Sequence, residues 1–352
     1  MRLLEELHLG EQMLRNRIVF PPMVTNLATA EGYVTDEQID YYRRFAAGGA
    51  ALVIVEATFV DWRGRAFPFG LGISNDDMIP GLKKLATAIK DEGALAAIQI
   101  FHAGARANGE LQGVIGLGPT GMTMRPGLPV HPIDEEGMGK ITQFFVQGAQ
   151  RAVEAGFDLI CLHMAHGYLL SQFLSPLSNK RGDAYGQDRA KFPLEVLEEV
   201  RKAIPGTLLS CRINGWEPGG LTPEAAAEIA LRLEEKGADL IDVSGGFPGT
   251  EVPPVPDKSV PNGCFLPGAA EVKKRVSVPV IGVGRIIEAA MAEEALAEGK
   301  ADLIAIGRGL LADPLWAQKL AKGEPLKKCV TCMGCHRLLG RGGKVRCVRE
   351  VI

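Results

Sequence analysis

Two imidazoles and a phenol crowd into one stretch, His163-Met-Ala-His166-Gly-Tyr168. It follows an apolar run, Phe157-Asp-Leu-Ile-Cys161-Leu162, that reads as a buried β-strand. Strand ends are where α/β enzymes keep their chemistry, because the loops leaving that edge are free to vary. Three readings of the histidine pair compete. The rings could bind a metal, but no nearby carboxylate or third histidine completes a site. Each could be an ordinary structural histidine. Or both could donate hydrogen bonds that polarise a carbonyl or nitro oxygen, with Tyr168 as the general acid. The position at a strand end favours the third.

Other strand ends carry further candidates. Arg212 lies inside the apolar run Leu209-Ser-Cys-Arg-Ile213. An unpaired buried guanidinium is costly. The residue therefore either faces a site, where it stabilises negative charge on a bound group, or pairs with a core carboxylate such as Glu56 or Asp242. Gln99 carries an amide that both donates and accepts; it suits the edge of a heterocycle and equally suits buried backbone groups. Pro21-Pro22-Met23 reads as a rigid wall against a planar ligand or simply as a turn, and Ala57 is small enough to admit a flat ring. Ile281-Gly-Val-Gly284-Arg285 and Ile304-Ala-Ile-Gly307-Arg308-Gly309 end alike. Glycine N–H groups opening a helix bind anions, and arginine suits a dianion. Both runs together imply a phosphorylated cofactor at this end.

The elements that position these residues follow a repeated pattern: a helical stretch, a glycine turn, then a short apolar strand. It recurs at Ala47–Val55, Glu154–Ile160, Glu235–Ile241 and Glu298–Ile304. With Ile18–Phe20, Leu95–Ile100, Leu208–Ile213 and Val278–Val283, this gives eight strands. Continuous apolar strands are buried on both faces, as in a parallel sheet. Helices are expected at Asp36–Ala47, Gly81–Glu92, Gly139–Ala155, Lys191–Ala203, Pro223–Lys236, Gly268–Val276 and Ile287–Glu298. Eight strands alternating with helices read as a (β/α)8 TIM barrel, and such barrels often hold phosphate after the last two strands. Arg106–Gly137 and Ser244–Asn262 are longer than the connections require, as in loops that shape a pocket.

A net charge of −3 gives no case for a nucleic-acid or membrane-surface partner. There is no transmembrane-length apolar run, and Met1-Arg-Leu-Leu-Glu-Glu is not a signal peptide; a cytoplasmic location is expected. Seven cysteines in a long chain without a signal argue against a disulfide framework. Four crowd near the C-terminus, as Cys329-Val-Thr-Cys332-Met-Gly-Cys335 and then Cys347. That spacing is of the kind that wraps an iron–sulfur cluster. A structural zinc site is the alternative, and four free thiols the third reading.

Together these motifs resemble the old yellow enzyme family, and more narrowly its 2,4-dienoyl-CoA reductase and enoate reductase branch. The resemblance covers residues 1–317. Beyond the stretches above it includes Glu31-Gly-Tyr-Val-Thr-Asp-Glu37, Gln99-Ile-Phe-His-Ala-Gly-Ala-Arg106, Ser171-Gln-Phe-Leu-Ser-Pro176 and Asn179-Lys-Arg-Gly-Asp-Ala-Tyr-Gly186. It implies FMN, with Gln99 and Arg212 at the isoalloxazine ring and Gly284, Arg285, Gly307 and Arg308 at the phosphate. Pro22, Met23 and Ala57 complete the cofactor set. His163 and His166 would hold the substrate oxygen, and Tyr168 would donate the proton. Val24 departs from the pattern, since many members carry Cys or Thr there. The branch also implies a [4Fe–4S] cluster on Cys329, Cys332, Cys335 and Cys347, although its usual pattern has three residues, not two, between the second and third cysteines. The FAD- and NAD(P)H-binding domains that follow in that branch are not in this sequence.

The expectation is an FMN-binding barrel over residues 1–317 and a cysteine-rich iron–sulfur segment over 318–352. Its activity would be hydride transfer from reduced FMN to the β-carbon of an α,β-unsaturated carbonyl or enoyl-CoA compound. The electrons would come from NAD(P)H or a redox partner protein, and analogy points to a homo-oligomer. An amine dehydrogenase and an electron-transfer subunit are the rival readings.

Overall fold

In a computed structural model, which describes residues 1–108, 113, 115–124 and 129–349, eight parallel strands close into a barrel. They are β1 (Ile18–Phe20), β2 (Leu52–Phe59), β3 (Leu95–Phe101), β4 (Leu159–Met164), β5 (Leu208–Asn214), β6 (Leu240–Ser244), β7 (Val280–Gly282) and β8 (Leu303–Ala305). Each pairs with the next, and β8 pairs with β1. The helices around them are α1 (Asp36–Ala47), α2 (Ile79–Lys90), α3 (Glu135–Glu154), α4 (Lys191–Ala203), α5 (Pro223–Glu235), α6 (Leu266–Lys273), α7 (Ala289–Ala297) and α8 (Trp316–Lys322). This is the (β/α)8 barrel that the repeating pattern implies.

The continuous apolar strands serve two cores. Val19, Leu52, Ile54, Ala97, Leu159, Leu240 and Leu303 belong to a cluster inside the barrel. Leu9 and Leu14, from an antiparallel hairpin (Leu7–Leu9 with Gln12–Leu14), pack into the same cluster. Alternate residues such as Val53 and Val55 join the larger cluster shared with the helices. Full burial of one such side chain contributes about 1.5–3 kcal/mol. Helix starts obey the capping rule: Thr35 and Thr222 accept hydrogen bonds from the N–H groups of Gln38 and Ala225. Helix α3 begins at Glu135 rather than Gly139, because the Asp134 side chain accepts from the Gly137 N–H. That cap outweighs the poor helix propensity of the two glycines.

The register of β2 against β3 shifts between Val55 and Ala57. The irregularity sets Ala57 opposite Gln99 and leaves the buried Glu56 in a polar nest. Its carboxylate accepts from the Thr25 N–H and hydroxyl and from Gln38 Nε2, and its N–H donates to the Tyr42 hydroxyl. Burial pushes the Glu56 carboxyl up to about 7, against hydrogen bonds that pull it down. Its folded pKa lies above the unfolded value, so its contribution to stability is greatest below the unfolded pKa. That contribution is lost as pH rises toward the folded value. The chain is therefore expected to lose about 3 kcal/mol of stability from this group between acidic and neutral pH. Urea denaturation across that range checks this, and Glu56→Gln should flatten the dependence.

Thr25 and Asn26 also fasten the cysteine-rich segment to the barrel. The Val345 N–H donates to the Thr25 carbonyl at 2.8 Å. Asn26 Nδ2 donates to the carbonyls of Leu339 and Gly343 at 2.7 and 3.0 Å. Leu339 is buried, and Val345 packs against the main core. Residues 109–112, 114 and 125–128 of the long Arg106–Gly137 loop lie outside the described residues; its described part pairs Gly116–Gly118 with Val130–Pro132. Among the described residues no helix is long and apolar enough to cross a membrane.

Candidate active site

A cavity of about 490 Å³ opens where the barrel strands end. His163, His166 and Tyr168 line one wall, and Gln99, Arg212 and Ala57 line it from neighbouring strands. Pro22 and Met23 enter from the end of β1, Gly284 and Arg285 from beyond β7, and Gly307 and Arg308 from beyond β8. Residues far apart in sequence thus meet at one opening.

The histidine–tyrosine stretch is shaped by its turn. His163 is the penultimate residue of β4 and pairs in register with Arg212. His166 and Gly167 both adopt the left-handed conformation, with φ of 64° and 69°. That conformation is uncommon for a non-glycine residue and marks a held geometry. It folds Tyr168 back onto the histidines. The two imidazole centroids lie 5.1 Å apart and the Tyr168 ring lies 5.0 Å from His163, all packed edge-on. Phe101 closes the apolar side 5.1 Å from Tyr168.

Hydrogen bonds set the orientation. The Ala165 N–H donates weakly to His163 Nδ1, at 3.4 Å, which leaves Nε2 as the ring's donor. His166 Nε2 meets the Ser244 hydroxyl at 2.8 Å, and the His166 N–H donates to Asn214 Oδ1 at 3.2 Å. Glu217 in turn accepts from Asn214 Nδ2. Burial, then the cations Arg212 and Arg106, hold His163 well below the usual imidazole range. Burial, His163 and the same two arginines do so for His166. Both rings are neutral at physiological pH, which suits them to donate hydrogen bonds without carrying charge.

Arg106 is the residue the sequence reading passed over. Its Nη1 donates to the His166 carbonyl at 2.6 Å, and its guanidinium lies 4.6 Å over the Tyr168 ring. One planar cation thus clamps both ends of the strained turn, a contact worth about 0.5–2 kcal/mol at the ring face alone. Arg106→Met is expected to lower turnover about 10²-fold, the cost of a small misplacement, with cofactor content unchanged. Added guanidinium should restore part of the rate, and a steady-state assay with and without it checks this.

Arg212 both lines the cavity and pairs with Asp242, Nη1 to Oδ2, at 2.8 Å. Of the two carboxylates the sequence offered, Asp242 is the partner; Glu56 belongs to the Thr25 nest. Arg212 Nε and Asp242 Oδ1 have no protein partner among the described residues. Gln99 Nε2 meets only the Cys161 sulfur, a weak acceptor, at 3.5 Å. At the other end the Arg285 Nη1 donates to the carbonyls of Asp257 and Val260, and its buried Nε is unpaired. Gly284 has φ 127°, and a Cβ there would lie 2.7 Å from the Phe265 nitrogen. Only glycine fits.

Pro248, Pro253, Pro254 and Pro256 from the proline-rich loop after β6 also line the cavity. His336, Leu339 and Val345 of the cysteine-rich segment complete it. The loop's length was its only signal; nothing in the sequence placed the C-terminal segment over the cavity.

Cys329, Cys332, Cys335 and Cys347 line a second, small pocket together with Arg308, which borders both cavities. None of the four is in a disulfide, and the Thr331 N–H donates to the Cys329 sulfur at 3.4 Å. Among the described residues no group of three or more His, Cys, Asp or Glu side chains stands ready to hold a metal ion.

Comparison with known proteins fixes the family. The profile of the NADH:flavin oxidoreductase / NADH oxidase family matches residues 2–327. The chain belongs to this family of flavin-dependent oxidoreductases. It is 39% identical over 350 residues to an NADH oxidase from Thermoanaerobacter brockii, covering 95% of this chain and 53% of that one. It is 38% identical over 315 residues to an NADPH dehydrogenase from Geobacillus thermodenitrificans, covering 88% and 90%. A 2-naphthoyl-CoA reductase in complex with 2-naphthoyl-CoA superposes with a TM-score of 0.92 at 27% identity, over 99% of this chain and 56% of that one. The chain thus spans about half the length of the first of these relatives and of this structure. The old yellow enzyme resemblance holds at the level of the family.

Proposed function

We propose that this member of the family is an FMN-dependent ene-reductase acting on an α,β-unsaturated carbonyl compound or acyl-CoA. The observation that carries the reading is the packing of His163, His166 and Tyr168 on one wall of a cavity. The other walls suit a phosphorylated planar cofactor. Support for FMN comes from the polar atoms left unpaired around that cavity, Arg212 Nε and Arg285 Nε, and from the glycine-only position at Gly284. Gln99 and Arg212 would meet the ring, with Pro22, Met23 and Ala57 against its surface. Gly284, Arg285, Gly307 and Arg308 would surround the phosphate. FMN held there, once reduced, would supply the hydride.

The residues do the rest. His163 and His166, neutral and donating, hold the substrate oxygen and draw electron density from the double bond, so that its β-carbon accepts hydride. Tyr168 delivers the proton to the α-carbon. The proline wall excludes water and accepts an apolar substrate body.

The branch reading and its cluster belong to the same proposal. The four cysteines share one pocket beside Arg308, and an N–H···S hydrogen bond already points at Cys329. They would hold a [4Fe–4S] cluster, making residues 318–352 an electron-carrying segment on the barrel of residues 1–317. Electrons would enter from NAD(P)H or from a redox partner. The test is an anaerobic viologen-coupled assay with enones and enoyl thioesters, beside dye-coupled oxidation of amines. Reduction of the unsaturated compounds supports the proposal; amine oxidation alone overturns it. Iron, sulfide and zinc analysis decides the cluster separately.

A further inference from the structure

Charge is divided unevenly along the chain. Of its 39 Lys and Arg and 42 Asp and Glu, residues 318–352 hold nine and two. The tail is therefore strongly basic, and the remainder strongly acidic. The cations of the tail are outward-facing: Arg337, Arg341, Arg346 and Arg349 are all exposed. Arg337, Arg341 and Arg346 have no carboxylate partner among the described residues. By contrast, Lys344 and Lys328 are spent on Glu37 and Glu288.

The same surface exposes large apolar side chains: Val330 at 53%, Leu338 at 57% and Val348 at 55%. Val348 borders the cysteine pocket on one side and a broad groove against α1 on the other. Leu338, Arg337 and Arg346 line that groove. Cys332, in the cysteine pocket, is exposed. An apolar centre rimmed by unneutralised charge is the anatomy of a protein-binding patch. Rim charges mainly set the rate and salt dependence of encounter.

We propose that this face is the docking surface for a small acidic one-electron carrier protein, bound with its carboxylates against Arg337 and Arg346 and an apolar spot against Val330, Leu338 and Val348. The carrier's identity as a redox protein rests on the electron-carrying role proposed above for the cysteine segment; the acidic character of its surface rests on the patch alone. The rest of the chain is net negative, so on average it disfavours an acidic carrier and leaves this face favoured. The patch thus selects where it lands as well as what lands.

The experiment is a binding titration of the intact holoprotein with two acidic carriers, a ferredoxin and a flavodoxin, with basic cytochrome c as the control. At low salt at least one acidic carrier should bind. Raising ionic strength to the physiological range should weaken it about tenfold. The exposed charge reversal Arg337→Glu/Arg346→Glu should abolish binding while the flavin spectrum and thermal stability stay unchanged. Leu338→Ser should weaken it without altering the salt dependence. Failure of both acidic carriers to bind, or binding indifferent to the charge reversal, overturns the proposal. So does tighter, patch-dependent binding of DNA or anionic vesicles, or self-association that hides the patch. Metal analysis of the same sample tells a failure of the cluster reading from a failure of docking, because binding does not require the cluster.

Discussion

Tyr168→Phe is expected to cut turnover with an enone about 10²–10⁴-fold, the usual worth of a positioned proton donor. Flavin content and the rate of flavin reduction should not change. The substitution removes one hydroxyl and keeps the ring, so the stack on Phe101 and His163 and the Arg106 contact persist. Any loss therefore reports the proton. Stopped-flow traces should show normal reduction and slow reoxidation by the enone. The paired histidines predict a different signature. His163→Ala should weaken substrate binding as well as turnover, because a hydrogen bond to the substrate oxygen is formed before and during the transition state. Both imidazoles are held well below their usual range, so neither should impose an acid limb on the rate near neutral pH.

Arg212→Met carries the other large effect. The guanidinium is buried, and its partner Asp242 is completely so. Breaking a buried ion pair from one side leaves an uncompensated charge and costs about 3–5 kcal/mol. Burial already pushes the Asp242 carboxyl up, and Arg212 is what pulls it back. The variant is expected to unfold at lower urea and to lose its flavin. Arg212→Met combined with Asp242→Leu should recover much of the stability, since an apolar pair of similar volume removes both desolvation costs. It should not recover the flavin. Urea denaturation with cofactor analysis of the folded fraction checks both halves, and stability returning without flavin assigns Arg212 two roles.

Much of this architecture was legible in the residues. Strands buried on both faces must be continuous apolar runs, so all eight barrel strands stood out. A charge in such a run, as at Arg212, announces a site or a partner, and it proved to have Asp242 while also lining the cavity. The residues singled out at strand ends come together because a barrel gathers all its strand ends at one mouth. What stayed hidden depends on distance rather than type. Arg106 is one more arginine until its contact with the His166 carbonyl is seen. The Asn214–Glu217 support of His166 comes from the last residue of β5 and the loop after it, which carry no motif. The path of the cysteine segment over the cavity is set by two hydrogen bonds from Asn26 and one to Thr25, which no periodicity encodes. The start of α3 was missed because the long loop was read as running to Gly137 and the helix as starting at Gly139, while the cap at Asp134 decided the matter.

The central claim is that the His163–His166–Tyr168 wall works on an activated double bond over a flavin. An anaerobic single turnover tests it most directly. The protein is photoreduced without nicotinamide, mixed with 2-cyclohexen-1-one, and followed at the oxidised-flavin band while product is measured. The account predicts full reoxidation with one cyclohexanone formed per flavin, and a rate collapse in Tyr168→Phe. A flavin that stays reduced before every enone and enoyl thioester offered, or that is reoxidised without saturated product, would contradict it.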